Sequence, residues 1–271
     1  MADTTQTWVV SVVGLPEASG GQAAGFNLDN LDSGEGSDGT CEEFAADFTG
    51  INDPAHVGVD NALQGLVGTI ETAALDADDC GGSTDGCLDR TLQQQIAEGS
   101  LLLIMEVSGI NDYVFDDSVM VQLALGEVPG GGMPMVGGDG QLAAGQTFNS
   151  MQTLGTPVSG DIFRGRLRAQ TNGLTININA GGFMLPLVIS DAQIRFDVAT
   201  DGSSLSNGLI GGSILGSDIV AAVTEIDPDL VETAEGLIST LADISPSAAD
   251  SQVCEAVSVG LTFAAVNATV N

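Results

Sequence analysis

Two stretches late in the chain alternate apolar and polar residues strictly, and a period of two suits a half-buried strand and no helix. In residues 191–198, Asp191, Gln193, Arg195 and Asp197 fall on one face, with Ala192, Ile194, Phe196 and Val198 on the other. The second stretch flanks Asn172-Gly173, the preferred two-residue type I′ hairpin turn. A turn there predicts a hairpin over 161–180 in which Thr171 pairs with Leu174, Gln170 with Thr175, Arg168 with Asn177, Leu167 with Ile178 and Arg166 with Asn179. Polar then meets polar and apolar meets apolar, a consistency that a one-residue slip destroys.

Further strands are expected at 7–15, where Thr-Trp-Val-Val-Ser-Val-Val-Gly-Leu is rich in β-branched residues, at 101–107, 119–125 and 208–215, and at 257–270. The last of these is long enough to return along the sheet begun by the first. Helical spacing of Val59, Leu63, Leu66, Val67, Ile70 and Ala74 predicts a helix over 59–75, and a shorter one follows with Asp89 as N-cap, Leu92 and Ile96 inward and Gly99 at its end. Ser217 is a candidate cap for residues 219–223, and Asp227-Pro228 opens a helix that must stop before Pro246. No repeat and no interdomain linker is visible. The expected architecture is mainly β with helices: one domain over 1–271, an antiparallel β-sandwich of jelly-roll type with a helical and acidic-loop insertion at about 20–99 and a helical segment at about 217–244.

Charge excludes more chemistry than it suggests. Thirty-seven acids face five arginines, one histidine and no lysine, a formal charge of -32 on a chain that is 43% hydrophobic. Walker-A phosphate loops and Schiff-base enzymes need a lysine, multi-imidazole zinc sites need more than His56, and nucleic acid needs clustered cations. The hydrophobic content argues for a folded chain, because a disordered acidic one would be poor in Val, Ile and Leu. No apolar run is long enough for a membrane helix. The opening Met1-Ala-Asp-Thr-Thr has no signal-peptide character, and Met1 reads as an added or trimmed start.

Cys41, Cys80, Cys87 and Cys254 are an even number set among Gly, Ser, Asp and Thr, the setting of secreted disulfides; the six residues between Cys80 and Cys87 do not suit a zinc knuckle. Proximity in the chain favours Cys80 with Cys87, and elimination then pairs Cys41 with Cys254. Gly25-Phe-Asn-Leu-Asp29, Gly58-Val-Asp-Asn61, the segment Gly99–Gly109 with Asp116-Asp-Ser-Val119, and Gly208-Leu-Ile-Gly-Gly212 together resemble a family of secreted proteins and lipoproteins of myxobacterial type. The resemblance implies an extracellular or cell-surface location and a mostly β fold, and it supplies no catalytic residue.

Three loops gather acids: Asp29, Asp32, Asp38, Asp47, Asp53 and Asp60 with Asn61; Asp76, Asp78, Asp79 and Asp85; and Asp112, Asp116 and Asp117. Calcium takes six to eight oxygens of this kind, and Asp29, Asp53, Asp60 and Asn61 are the expected ligands; the bland alternative is a solvated or salt-adapted surface. Arg164, Arg166 and Arg168 at alternate positions of one strand offer an anion or acidic-glycan site, or a charge ladder against Asp191 and Asp197. Glu106 with Asp112, Asp116 and Asp117 imitates a glycosidase pair, although such coincidences are common in so acidic a chain. The expected function is a non-catalytic secreted or cell-surface structural or interaction protein, with calcium-ordered loops and a protein or glycan partner. The alternative is a glycan-binding β-sandwich or glycoside hydrolase, which an exposed Trp8 or Tyr113 beside a groove would favour.

Overall fold

The computed structural model describes the chain apart from residues 1–2, 16–17, 33–40, 42–46, 52–54, 66, 68–70, 72–81, 84–85, 181–182, 227 and 246–252. The predicted β content is present, but the strands do not form a sandwich. Strand β1 (Thr4–Gly14) pairs on one side with β4 (Leu103–Ile110), which pairs with β5 (Phe115–Glu127), and β5 with β7 (Val158–Phe163). The circuit continues through β8 (Arg166–Gln170), β10 (Phe183–Val198) and β11 (Ser204–Leu215) to β12 (Ala256–Val270). The other edge of β1 then meets β12, from Trp8 opposite Asn267 to Gly14 opposite Thr262. Eight antiparallel strands therefore close into a β-barrel. Alternation along each strand shows that one face is buried; it does not show whether the end strands find each other, and that pairing is what separates a barrel from two stacked sheets. Strand β6 (Gln146–Thr153) pairs with the end of β5 and runs parallel to the end of β12, so a smaller circuit shares the wall of the larger one.

The hairpin expected at Asn172-Gly173 is absent. Strand β9 (Gly173–Ala180) continues the line of β8, and both lie along the same edge of β10: Gln170 opposite Gln193, Gly173 opposite Ser190, Ala180 opposite Phe183. The register runs through Asn172, whose carbonyl accepts the Asp191 N–H at 3.1 Å while the Thr171 N–H reaches the Ala192 carbonyl at 2.8 Å. Neither Asn172 nor Gly173 has the positive φ that a type I′ turn requires; Asp191 does, at 48°, where β10 bulges against β11. The chain reverses between Ala180 and Phe183, whose intervening residues are outside those described, so the longer ladder prevails over the local turn preference.

The barrel interior is packed with side chains, as an eight-stranded barrel allows. Trp8 is 0% exposed and lies 6.5 Å from Phe196, which is 6.0 Å from Phe263; the indole N–H donates to the Gly202 carbonyl at 3.0 Å. Helix α1 (Cys87–Glu98) lies against β1, and Leu92 and Ile96 face Val10, Leu261 and Phe263 across a void of about 30 Å³, room for little more than a water. Gly99 ends α1 as predicted, in the left-handed conformation, but Asp89 does not cap its start. The capping oxygens come from Glu71, which accepts the Gly86 and Leu88 N–H groups, while Asp89 turns to the Leu15 N–H at 2.8 Å. Eight of the seventeen residues of the helix predicted over 59–75 fall outside the described residues; Val59 and Asp60 form β-bridges to Phe48 and Phe26 instead of opening it, and Gln64, Gly65, Val67 and Glu71 are helical. Helices α2 (Gly216–Ile226) and α3 (Val231–Leu241) match the expected late helical segment. Ser217 lies inside α2, so the cap expected from it does not form there.

Candidate functional site

The outer wall of β7, β8 and β10 carries the arginine strip, with one of its members displaced. Phe163 pairs with Arg166, so Arg164 and Gly165 are a two-residue turn, and their φ values of 55° and 79° give it the type I′ pattern. Arg164 is thus not on the strand with Arg166 and Arg168, as its spacing suggested. The local physics that the sequence placed at Asn172-Gly173 operates here instead.

Ladder pairing accounts for the two strand arginines. Arg166 sits opposite Asp197 and binds it through Nε at 2.7 Å and Nη2 at 3.4 Å. Asn207 adds a hydrogen bond to the same carboxylate at 2.9 Å. Burial pushes the Asp197 carboxyl up, and the Arg166 and Asn207 hydrogen bonds with the Arg166 and Arg195 charges outweigh it, so its pKa lies below the ordinary range. Arg168 faces a like charge, Arg195, in register; it turns the other way to Asp161 on β7 at 2.9 Å, and Arg195 lies over the Phe26 ring at 5.4 Å. Asp197 is the ladder partner expected from sequence, whereas Asp191 is exposed in the bulge.

Two open grooves flank this strip. One, of about 640 Å³, is lined by Arg168, Arg195, Asp161, Phe26 and His56 among others. The other, of about 610 Å³, is lined by Phe163, Arg164, Arg166, Arg168 and Asp197 and so reunites all three predicted arginines around one concavity. Its Phe163 is 49% exposed and stacks edge-to-face with the 55% exposed Phe115 across the strand pair, ring centroids 5.6 Å apart. Arg195, Phe115 and Phe163 escaped the sequence reading, although Arg195 lies on the outward side of a correctly predicted alternation.

Three of the four expected calcium ligands, Asp29, Asp60 and Asn61, are among the described residues, and each has a hydrogen-bond partner in the protein. Asp60 is 3% exposed, and its Oδ2 accepts the Leu28 N–H at 2.6 Å. Asn61 donates its amide to the Ala24 carbonyl at 2.7 Å, and Asp29 accepts the Leu31 N–H through Oδ1 at 2.8 Å. Asp53 lies outside the described residues, as do Asp38, Asp76, Asp78, Asp79 and Asp85. Among the described residues no three His, Cys, Asp or Glu side chains are close enough to hold a metal ion together. The acid that sequence missed is Asp243. It receives the Ser258 N–H at 2.7 Å through Oδ1 and the Ser258 hydroxyl through Oδ2, and that hydroxyl in turn accepts the Ala62 N–H. Burial, with the Asp47 charge, raises Asp243 to about 7; burial, with the charges of Asp243, Asp47 and Asp29, raises Asp60 to about 9.

These acids belong to a clasp that fastens the N-terminal loop to the barrel. Gly211 and Gly260 face each other across β11 and β12, and the bare wall they leave receives Phe26 and Ala24. Phe26 bridges to Asp60, and the short parallel strands β2 (Gln22–Ala23) and β3 (Thr49–Gly50) close the loop on itself. Cys41 and Cys254, with Cα atoms 5.2 Å apart, form the predicted long-range disulfide beside it, and Cys41 Sγ lies 3.5 Å from the Asp243 carbonyl. Cys87 is disulfide-bonded, and its predicted partner Cys80 lies outside the described residues.

The acids that imitate a glycosidase pair also have partners in the protein. Asp116 spends both oxygens on the Asn111 and Ser118 N–H groups, Asp112 accepts the Val114 N–H, and Glu106 lies opposite Gln122 in a strand ladder. No protein-family model, curated protein or solved structure matches the chain.

Proposed function

We propose that the chain is a non-catalytic structural or interaction protein of the cell exterior, working through the outer wall of its barrel. The observation that carries this reading is the packed interior: Trp8, a ring whose exposure beside a groove would favour a glycan-binding module or glycoside hydrolase, is buried in the barrel core. Tyr113 is partly buried against that core, its hydroxyl 3.5 Å from the Gln6 side-chain oxygen. An eight-stranded barrel filled in this way has its grooves outside, where arginines and exposed phenylalanines meet. The Cys41–Cys254 bridge supports an exterior location, since such bonds persist where the surroundings are oxidising.

The test pairs cell fractionation with thiol labelling and a turnover assay. Protein recovered from the exterior fraction should take up no thiol reagent until reduced, and should release no reducing ends from a panel of polysaccharides. Recovery in the cytoplasm with free thiols removes the location from this reading, and saturable hydrolysis removes its non-catalytic part.

A further inference from the structure

We propose that the groove beside the β7–β8 turn is a binding site for a saccharide carrying a single carboxylate, with Arg164 as its anchoring cation. This rests on the reading of the chain as a non-catalytic interaction protein and names what that protein would hold.

Arg164 differs from its neighbours in the strip. Arg166 and Arg168 are committed to Asp197 and Asp161, whereas Arg164 is exposed and forms no ion pair or hydrogen bond among the described residues. Its guanidinium lies over the Phe163 ring, 5.1 Å from the centroid. It also occupies an expensive position. A φ of 55° at the first centre of a type I′ turn suits Asn, Asp or Gly, and an arginine there is held in the left-handed region against the steric preference of its Cβ. Strained backbone that presents an unpaired, outward cation next to two exposed aromatic rings is the pattern of a contact residue.

The surroundings select the ligand. The groove is open and holds about 610 Å³, and with Arg166 paired to Asp197 and Arg168 to Asp161, Arg164 is the cation of its wall left uncompensated among the described residues, on a molecule of net charge -32. A planar guanidinium receives a carboxylate through two parallel N–H bonds, and the exposed Phe163 and Phe115 offer apolar surface to the C–H face of a sugar ring. The acidity of the rest of the molecule limits how much charge the ligand can carry. Arg164 gives one carboxylate a close partner, whereas a polyanion extending beyond a screening length of about 10 Å meets repulsion from the rest of the acidic surface. A mostly neutral glycan with one uronic acid residue satisfies both conditions.

The experiment is calorimetric titration of the intact oxidised protein at low ionic strength with three probes: a neutral oligosaccharide ending in one uronic acid, its methyl ester, and the same oligosaccharide ending in one sulfate. The uronate should bind saturably, the ester at least about tenfold more weakly, and added salt should weaken the uronate alone. Arg164→Asn places a residue favoured at this turn, so the variant should melt at or above the wild-type temperature while losing at least about tenfold in uronate affinity. Phe163→Ala should weaken uronate and ester together. Absence of uronate binding, equal binding of acid and ester, or unchanged affinity in Arg164→Asn overturns the proposal, and tighter binding of the sulfate overturns its carboxylate assignment. Hydrolysis of any probe would instead count against the non-catalytic reading; a protein that is exterior, oxidised and inert but fails to bind would leave that reading standing and end this inference.

Discussion

Asp60 and Asp243 are carboxyl groups placed where the charged form is penalised, with folded pKa values of about 9 and about 7 against about 3.9 in an unfolded chain. A folded pKa above the unfolded one means that the native state binds the proton more tightly. The contribution to stability is therefore complete below about pH 4 and is lost as pH rises, through about 7 for Asp243 and about 9 for Asp60. Each group can tilt the stability curve by at most about 1.4 kcal/mol per pH unit within its window. The melting temperature, measured in chelator at constant ionic strength, should accordingly fall from pH 5 to pH 9. Asp243→Asn, which keeps an acceptor for the Ser258 N–H, should lessen the slope below about pH 7, and Asp60→Asn should lessen it there and remove it between about 7 and 9. An unchanged slope in both variants would assign the pH dependence to surface charge instead. Asp197 has the opposite sign: its pKa is lowered, so its pairing with Arg166 helps above the unfolded value and is lost on acidification. Half-buried and still open to solvent on both sides, that pair is worth about 1 kcal/mol or less, the loss expected when Arg166→Gln is unfolded in urea.

Between strands and loop, the clasp depends on two glycines that leave no side chain in the way. A Cβ on Gly260 would overlap the Ala24 carbonyl, and one on Gly211 would fall 2.7 Å from the Phe26 ring and 2.9 Å from the Val259 carbonyl. The backbone obstacle cannot swing aside, so Gly260→Ala should cost about 1–3 kcal/mol and open the loop to protease. Gly236→Ala, on an open face of α3, is the control and should be neutral or stabilising. The motifs Gly25–Asp29, Gly58–Asn61 and Gly208–Gly212 meet at this clasp, which explains how they can be legible in sequence without revealing an activity: they answer backbone crowding. Local alternation likewise located most of the strands, because burial of one face leaves its period in the residues. What it could not reveal was partner choice. Asn172-Gly173 satisfied the turn rule and still runs extended, since β10 offers β8 and β9 one continuous edge. Arg164-Gly165 turns without the preferred dipeptide. The site is hidden for a related reason: Phe115, Phe163 and Arg164 come together only when β5 and β7 pair.

For the molecule as a whole, the closed barrel and the long disulfide leave charge as the main variable term. Joining Cys41 to Cys254 across 213 residues restricts the unfolded chain, and its removal by Cys254→Ala should destabilise by about 5 kcal/mol in the chain-entropy account, read as a lower urea midpoint. The net charge of -32 acts in the other direction, because self-repulsion is relieved on unfolding. Salt, protons and calcium each reduce that repulsion, and they separate by stoichiometry and pH. Asp60, Asn61 and Asp29 direct their polar atoms to the Leu28 N–H, the Ala24 carbonyl and the Leu31 N–H, an arrangement suited to a protonated or hydrogen-bonded acid cluster. The expected result is that calcium stabilises the protein at pH 8 no more than sodium chloride of equal ionic strength, and that both effects shrink at pH 5, where Asp60 and Asp243 are neutral. A resident cation would behave differently. Its binding would raise the melting temperature at concentrations too low to screen, chelation would reverse the gain, magnesium would substitute poorly because it demands a tighter shell, and the gain would grow with pH as protons stopped competing for the same oxygens. That outcome would return Asp29, Asp53, Asp60 and Asn61 to the role of ligands, and would make the acidic loop a calcium-ordered element whose carboxylates stay ionised in the folded protein.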